Sequence, residues 1–291
     1  MKYVSLIVAS LIVLSTAAQK VIVLGFDGMS GMGAQRTHTP HIDSLKAHGA
    51  YTYKARAVVP TMSAPNWAAM ISGMPPARTT VLSNGWTRAK IANRRFCGQP
   101  KGALFPTIFK VLRTQKPTAT IACVHQWKGF APLANTEAMD TIIHTKDEFA
   151  TCAQACELIK NMKPDFLFVH FDHVDHTGHT IGHFTEAYYR SIEVADSLVG
   201  VVLQAVKEAS LDKETYILIT ADHGGIFKGH GGLTKAEFQI PWILSGPKTK
   251  KNYEIKKKVK QYDTAATLAH IFNLQIPACW KGKSVADAFA E

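Results

Sequence analysis

The stretch KVIVLGFDG, residues 20–28, is an apolar, largely β-branched run closed by an acid and a glycine. Apolar residues on both faces of a strand mean that both faces are covered, the mark of a parallel sheet flanked by helices. The pattern recurs in YTYKARAVVPT (51–61), TIACVH (120–125), MDTIIH (139–144), DFLFVHFD (165–172), ETYILITAD (214–222) and QIPWILSG (239–246). Helix-like segments lie between them. TPHIDSLKAHGA (39–50) opens at Thr39–Pro40 and closes at Gly49, and SAPNWAAMISGM (63–74) has Ser63 as N-cap and Pro65 in its first turn. Further helices are expected in FPTIFKVLRTQ, DEFATCAQACELIKNM, the long amphipathic run 184–209 and YDTAATLAHIF. This alternation predicts an α/β fold with a mostly parallel central sheet and helices on both faces.

A chain of 291 residues, 46% hydrophobic and 19% charged, suits one large α/β domain, expected over residues 19–291. Residues 1–18 begin with Lys2, continue as an apolar run from Val4 to Leu14 and end in small residues, the order of a secretory signal peptide cut near Ala18. The run is shorter than the roughly 20 residues a spanning helix needs. A secreted or lumenal location is therefore expected. Five cysteines (97, 123, 152, 156 and 279) leave at least one thiol unpaired, and Cys152 and Cys156 share a helix face. Formal net charge is +11, much of it in the lysine-rich segment 248–260. That segment reads as a solvated face with weak attraction for anionic surfaces, and nothing suggests sequence-specific nucleic acid binding.

In such sheets ligands bind at the carboxyl ends of strands. Asp27 ends the first strand, and Ala221-Asp222-His223-Gly224-Gly225 ends another. VVPT runs into Ser63, FVHFD leads into a histidine cluster, and His230 follows in GHGG. Imidazole and carboxylate groups are zinc ligands. Asp27, Asp222 and His223 could form one set beside Ser63, and one Asp and one His from 171–183 a second set with His230. Paired divalent metals suit in-line phosphoryl displacement, with a metal favouring the serine alkoxide and a helix N-terminus offering backbone N–H groups to the phosphoryl oxygens. Taken singly, Ser63 also reads as a helix cap and Asp27 as a turn residue.

Together FDG, PTMSAPN, DHTGH, ADHGG and GHGG resemble the alkaline phosphatase superfamily, and within it the type I phosphodiesterase/nucleotide pyrophosphatase branch. The resemblance runs from Lys20 to the C-terminal tail. It implies an alkaline phosphatase-like fold and one zinc on Asp27, Asp222 and His223 that also binds the nucleophile Ser63. A second zinc is implied on Asp175, His179 and His230, and Asn84 as a hydrogen-bond donor to a phosphoryl oxygen. Asp172 and His176 repeat the D-x-x-x-H spacing; the glycine before His179 favours the later pair. His173 and His176 are left as supporting groups or substrate contacts.

Three features depart from the family pattern. Serine stands where many members carry threonine. His230 follows His223 by only seven residues, so the substrate-capping region is reduced. Asn66 and Trp67 break the C/S-x-P-x-R pattern of sulfatases. The expectation is a secreted two-zinc phosphoesterase, other divalent metals being possible, that hydrolyses phosphodiester or pyrophosphate bonds through a phosphoseryl intermediate. Its substrate would be a small phosphate ester or nucleotide-like molecule. Specificity would lie in loops 86–104 and 125–140, where Trp86 and Trp127 either stack on a base or fill core. The rivals are a phosphomonoesterase or phosphonate hydrolase, with Lys228 as the extra cation, and a non-catalytic metal- or phospho-ligand-binding protein.

Overall fold

A computed structural model describes residues 19–290. The expected signal peptide, residues 1–18, lies outside the described residues. The strands are β1 (Lys20–Phe26), β2 (Gly49–Arg56), β3 (Ile121–His125), β4 (Thr141–His144), β5 (Phe166–Phe171), β6 (Thr215–Ala221), β7 (Gln239–Ser245) and β8 (Tyr253–Glu254). The α-helices are α1 (Gly31–Arg36), α2 (Pro40–Ala47), α3 (Ser63–Ser72), α4 (Pro76–Thr79), α5 (Ile108–Gln115), α6 (Glu148–Asn161), α7 (His173–Thr180), α8 (Glu186–Glu208), α9 (Lys235–Phe238) and α10 (Asp263–Ile271).

The strands form one sheet in the order β4-β3-β5-β1-β6-β7-β2-β8. β1 lies parallel between β5 and β6, whereas β7 is antiparallel to both β6 and β2. Seven strands thus share one direction and β7 opposes them, which meets the expectation of a mostly parallel sheet. Register decides the rim: Phe26 pairs with Phe171 on one side and Ala221 on the other. Asp27, Asp172 and Asp222 therefore leave the sheet side by side.

Alternation along β5 sends Phe166, Phe168 and His170 to one face. There Phe109 of α5 stacks on Phe166 at 5.2 Å, and Trp67 of α3 meets Phe168 edge-on at 6.0 Å. α3, α5 and α10 pack together as one layer, while α1, α2, α6 and α7 gather around α8. Each large side chain so buried contributes about 1.5–3 kcal/mol of transfer free energy. Thr185 caps α8 by accepting from the Tyr188 N–H at 3.3 Å.

Local readings change in three places. β2 stops at Arg56, so Ala57–Thr61 is not ladder-paired strand but a connection through the cis Val59–Pro60 bond. Ser63 is the first residue of α3 and Met62 is its N-cap, with no side-chain cap hydrogen bond. The Ser63 hydroxyl is thus not used in capping. The histidine cluster, which the sequence pattern leaves without an assigned element, forms the helix α7. Cys97 and Cys279 form a disulfide, and Cys123, Cys152 and Cys156 are free.

Candidate metal centre and nucleophile

Asp27 continues the ladder through its N–H to Phe171 O (2.8 Å), which fixes where its side chain starts. The next residue, Gly28, takes φ +70°, and its N–H donates to Asp222 Oδ1 at 3.1 Å. The His223 N–H donates to the same oxygen at 2.8 Å. Asp222 Oδ1 is thereby used up, while Asp222 Oδ2 is buried without a donor and lies 3.1 Å from His223 Nε2. Asp27 Oδ1 is also buried and unpartnered, 3.5 Å from the same nitrogen, and Ser63 Oγ lies 3.3 Å from it.

The histidines share one orientation. Their Nδ1 atoms face carbonyls: His223 to Gly224 O at 2.9 Å, His179 to Lys228 O at 2.9 Å and His230 to Thr61 O at 2.8 Å. A carbonyl only accepts, so in each neutral ring Nδ1 carries the proton and Nε2 a bare lone pair. His179 Nε2 and His230 Nε2 then face each other at 3.0 Å, with Asp175 Oδ2 at 3.2 Å from His179 Nε2 and Asp175 Oδ1 at 3.9 Å from His230 Nε2. Asp175 Oδ1 is another buried oxygen without a donor. With the rings neutral, acceptors converge on acceptors in both places, which is favourable only when a cation, either a metal ion or an added proton, lies among them. The donors fit a divalent metal ion.

The two sets adjoin. The His223 and His230 rings stack with centroids 3.9 Å apart, and donor atoms of Asp27, Asp175 and His223 all lie within 4.8 Å of one another, as do those of Asp175, His179 and His230. Burial, then the charge of Asp175, pushes Asp27 up to about 7, and burial with both neighbouring carboxylates raises Asp222 well above its ordinary range. Burial opposes ionisation of Asp175 too, but the hydrogen bond from His179 and the charges of His223, His230 and His179 prevail, and it falls to about 2. His179 rises to about 9 through its bond to Asp175, and burial lowers His223 to about 3. In the first set a buried imidazole is held neutral beside carboxylates whose ionisation is opposed, and in the second a protonated His179 pairs with the Asp175 carboxylate, so a proton stands where a metal cation would.

Asp27, Ser63, Asp175, His179, Asp222, His223 and His230 thus all converge. His176 is exposed and lies outside the cluster. Asp172 stays near Asp27 and His170 instead of joining His230. With Asp172 as the N-cap of α7, Asp175 sits one turn further on, directly over Gly28. His173 donates to or accepts from nothing catalytic: its Nε2 is bonded to Ser191 O at 3.1 Å. Together with His176 it lines a cavity of about 560 Å³ between α7 and α8.

Asn84 accepts the Ala64 N–H through Oδ1 at 2.8 Å, leaving its Nδ2 hydrogens free to donate elsewhere. That bond corrects one expectation about the α3 N-terminus. The Ala64 N–H is committed to Asn84, Pro65 has none, and the Asn66 N–H goes to Met62 O, so the first turn offers few free donors. Trp86 is buried near Phe105 and belongs to the core, whereas half-buried Trp127 stacks over His170 at 6.3 Å. Two residues escaped the sequence reading: Trp67, whose Nε1–H donates to Asp27 Oδ2 at 3.0 Å, and His170, whose Nε2 lies 3.3 Å from the same oxygen. The only signal was His170 in an otherwise apolar strand.

The family model described as type I phosphodiesterase/nucleotide pyrophosphatase matches residues 21–227. The chain belongs to this family. Among curated relatives, human ectonucleotide pyrophosphatase/phosphodiesterase family member 1 is 24% identical over 67% of this chain and 23% of its own length. Venom phosphodiesterase 2 of Crotalus adamanteus is 23% identical over 64% of this chain and 24% of its own. The chain thus spans about a quarter of the length of these relatives. The solved structure of human ectonucleotide pyrophosphatase/phosphodiesterase 5 superposes with a TM-score of 0.79 at 14% identity, covering 94% of this chain and 100% of that one. BT1596, a 2-O GAG sulfatase, gives 0.75 at 17% identity over 92% and 73%. These structures establish the alkaline phosphatase-like fold. Among the described residues no helix is long and apolar enough to cross a membrane.

Proposed function

We propose that the chain is a secreted hydrolase of phosphodiester or pyrophosphate bonds in small phosphate esters or nucleotide-like molecules, with Ser63 as nucleophile and two zinc ions as cofactors. The observation that carries this reading is Ser63 Oγ at 3.3 Å from His223 Nε2, beside carboxylate oxygens that have no donor. Asp27, Asp222 and His223 would hold one ion and Asp175, His179 and His230 the other. Bound there, divalent cations supply Lewis acidity that favours a serine alkoxide and a departing oxyanion, and imidazole with carboxylate suits zinc.

The remaining work falls to the protein. Ser63 Oγ attacks phosphorus in line, the bond to the leaving oxygen breaks on the opposite side, and water later hydrolyses the phosphoseryl group. Asn84 donates from Nδ2 to a non-bridging oxygen, which its bond to the Ala64 N–H leaves it free to do. Gly224, Lys228 and Thr61 carbonyls keep the three imidazoles in one tautomer. A short Ile226–Gly229 turn lies between His223 and His230, where this branch commonly has a large insertion.

The order of residues 1–18 and the names of the relatives, ectonucleotide and venom enzymes, support a signal peptide, a mature domain over 19–291 and a secreted or lumenal location. A nucleotide-like substrate is supported by murine ectonucleotide pyrophosphatase/phosphodiesterase 5, which was solved in complex with AMP. Lys256, Lys257 and Lys258 line a groove with Lys54 and Arg56 at the end of β2, a surface suited to weak anionic attraction. In the decisive assay, Ser63→Ala is compared with the unaltered chain on bis(p-nitrophenyl) phosphate with added zinc. Loss of a nucleophile costs on the order of 10³–10⁶ in kcat. Undiminished turnover would overturn the covalent route.

A further inference from the structure

Asp27 has two unlike oxygens. Oδ2 receives the Trp67 Nε1–H at 3.0 Å and lies 3.3 Å from His170 Nε2, while Oδ1 is buried with no donor and lies 3.5 Å from His223 Nε2. A carboxylate on a short stem can rotate about its last bond and exchange the two oxygens. Two donors on one of them remove that freedom.

The surroundings are arranged for this contact. Trp67 is fully buried in α3, and its indole lies over β1 where residue 25 is glycine; a Cβ there would come within 2.7 Å of the Trp67 ring. The His170 ring sits between two indoles, Trp67 at 4.7 Å and Trp127 at 6.3 Å between centroids. His170 Nδ1 has no partner, so the ring's one productive hydrogen bond is from Nε2 to Asp27.

We infer that Trp67 and His170 are positioning residues that clamp Asp27 Oδ2 and so present Asp27 Oδ1, in a fixed orientation, to the cation beside Ser63. The inference rests on the proposed metal site and adds to it the pair that orients one ligand from behind. Fixing a ligand in this way lowers the conformational cost of binding, and loss of such a partner typically weakens metal affinity about 10- to 100-fold.

The test is zinc affinity measured by chelator competition, with no substrate present. Trp67→Phe keeps an aromatic ring in α3 and removes the N–H; His170→Leu removes the second donor; His170→Gln restores a donor at the Nε2 position. Expected are a 10- to 100-fold rise in Kd for the zinc beside Ser63 in Trp67→Phe and His170→Leu, and partial recovery in His170→Gln. Melting temperatures of the zinc-free variants are read alongside. Wild-type zinc affinity in both donor-deleted variants, with only the melting temperature lowered, would show plain core packing and overturn the inference while leaving the metal site standing. A wild-type chain that takes up no divalent cation would overturn both.

Discussion

Gly28 touches both halves of the site, and replacing it with alanine separates them. Its backbone has φ +70°, and a Cβ built on it falls 2.6 Å from both Cβ and Oδ1 of Asp175 and 2.7 Å from the Asp175 Cα. The left-handed conformation costs an L-residue about 1–2 kcal/mol. Crowding against helix backbone adds roughly 1–3 kcal/mol. Reduced freedom of the unfolded chain returns about 0.4–1 kcal/mol. Gly28→Ala should therefore be destabilised by roughly 1–5 kcal/mol, and Asp175 must retreat by about 0.8 Å to reach ordinary contact. Such a shift carries Asp175 away from His179 and His230, so this cation should be lost first, with the one beside Ser63 retained. Gly98→Ala is the control: it has φ +74° but nothing within 4 Å of the added carbon, so it should show the conformational penalty alone and keep both cations. Urea unfolding in EDTA measures the first quantity, and metal per chain by mass spectrometry the second. If Gly28→Ala matched Gly98→Ala in stability and still held two cations, the packing argument would fail.

Two further outcomes are expected. His179→Ala should lose one cation and His176→Ala should lose none, by equilibrium dialysis with zinc; the reverse result would restore Asp172 and His176 as the ligand pair. In metal-free protein Asp27 is raised by burial to about 7, so the folded state holds this proton more tightly than the unfolded chain does. The stability it lends is full below the ordinary carboxylate range near 4 and is lost as pH rises through about 7. Asp27→Asn should thus flatten, though not abolish, the fall in melting temperature between those values in EDTA, since Asp222 is raised as well. An unchanged slope would refute that assignment.

Most strands and long helices were legible because burial on both faces leaves a plain apolar run, as in residues 21–26, and because helix ends carry Pro40, Thr185 or Gly49. The rim residues were legible for the same reason: an ionisable group directly after such a run has few structural uses. Other features depend on contacts that no local pattern encodes. β7 runs antiparallel since its pairing is decided by neighbours far away in the chain. Ser63 fell one place inside its helix, and the first-turn N–H that a phosphate was expected to find is held by Asn84, twenty residues on.

The sequence by itself determined which residue types were available at which strand ends, and through resemblance which family they belong to. The two D-x-x-x-H pairs share one spacing, and in the sequence only the glycine before His179 favoured the later one; tertiary structure brings Asp175 over Gly28 and groups it with His179 and His230, and it leaves His176 exposed. It alone brought Trp67 and His170 behind Asp27, since a hydrogen bond between residues 40 and 143 positions apart is a property of packing, not of order along the chain.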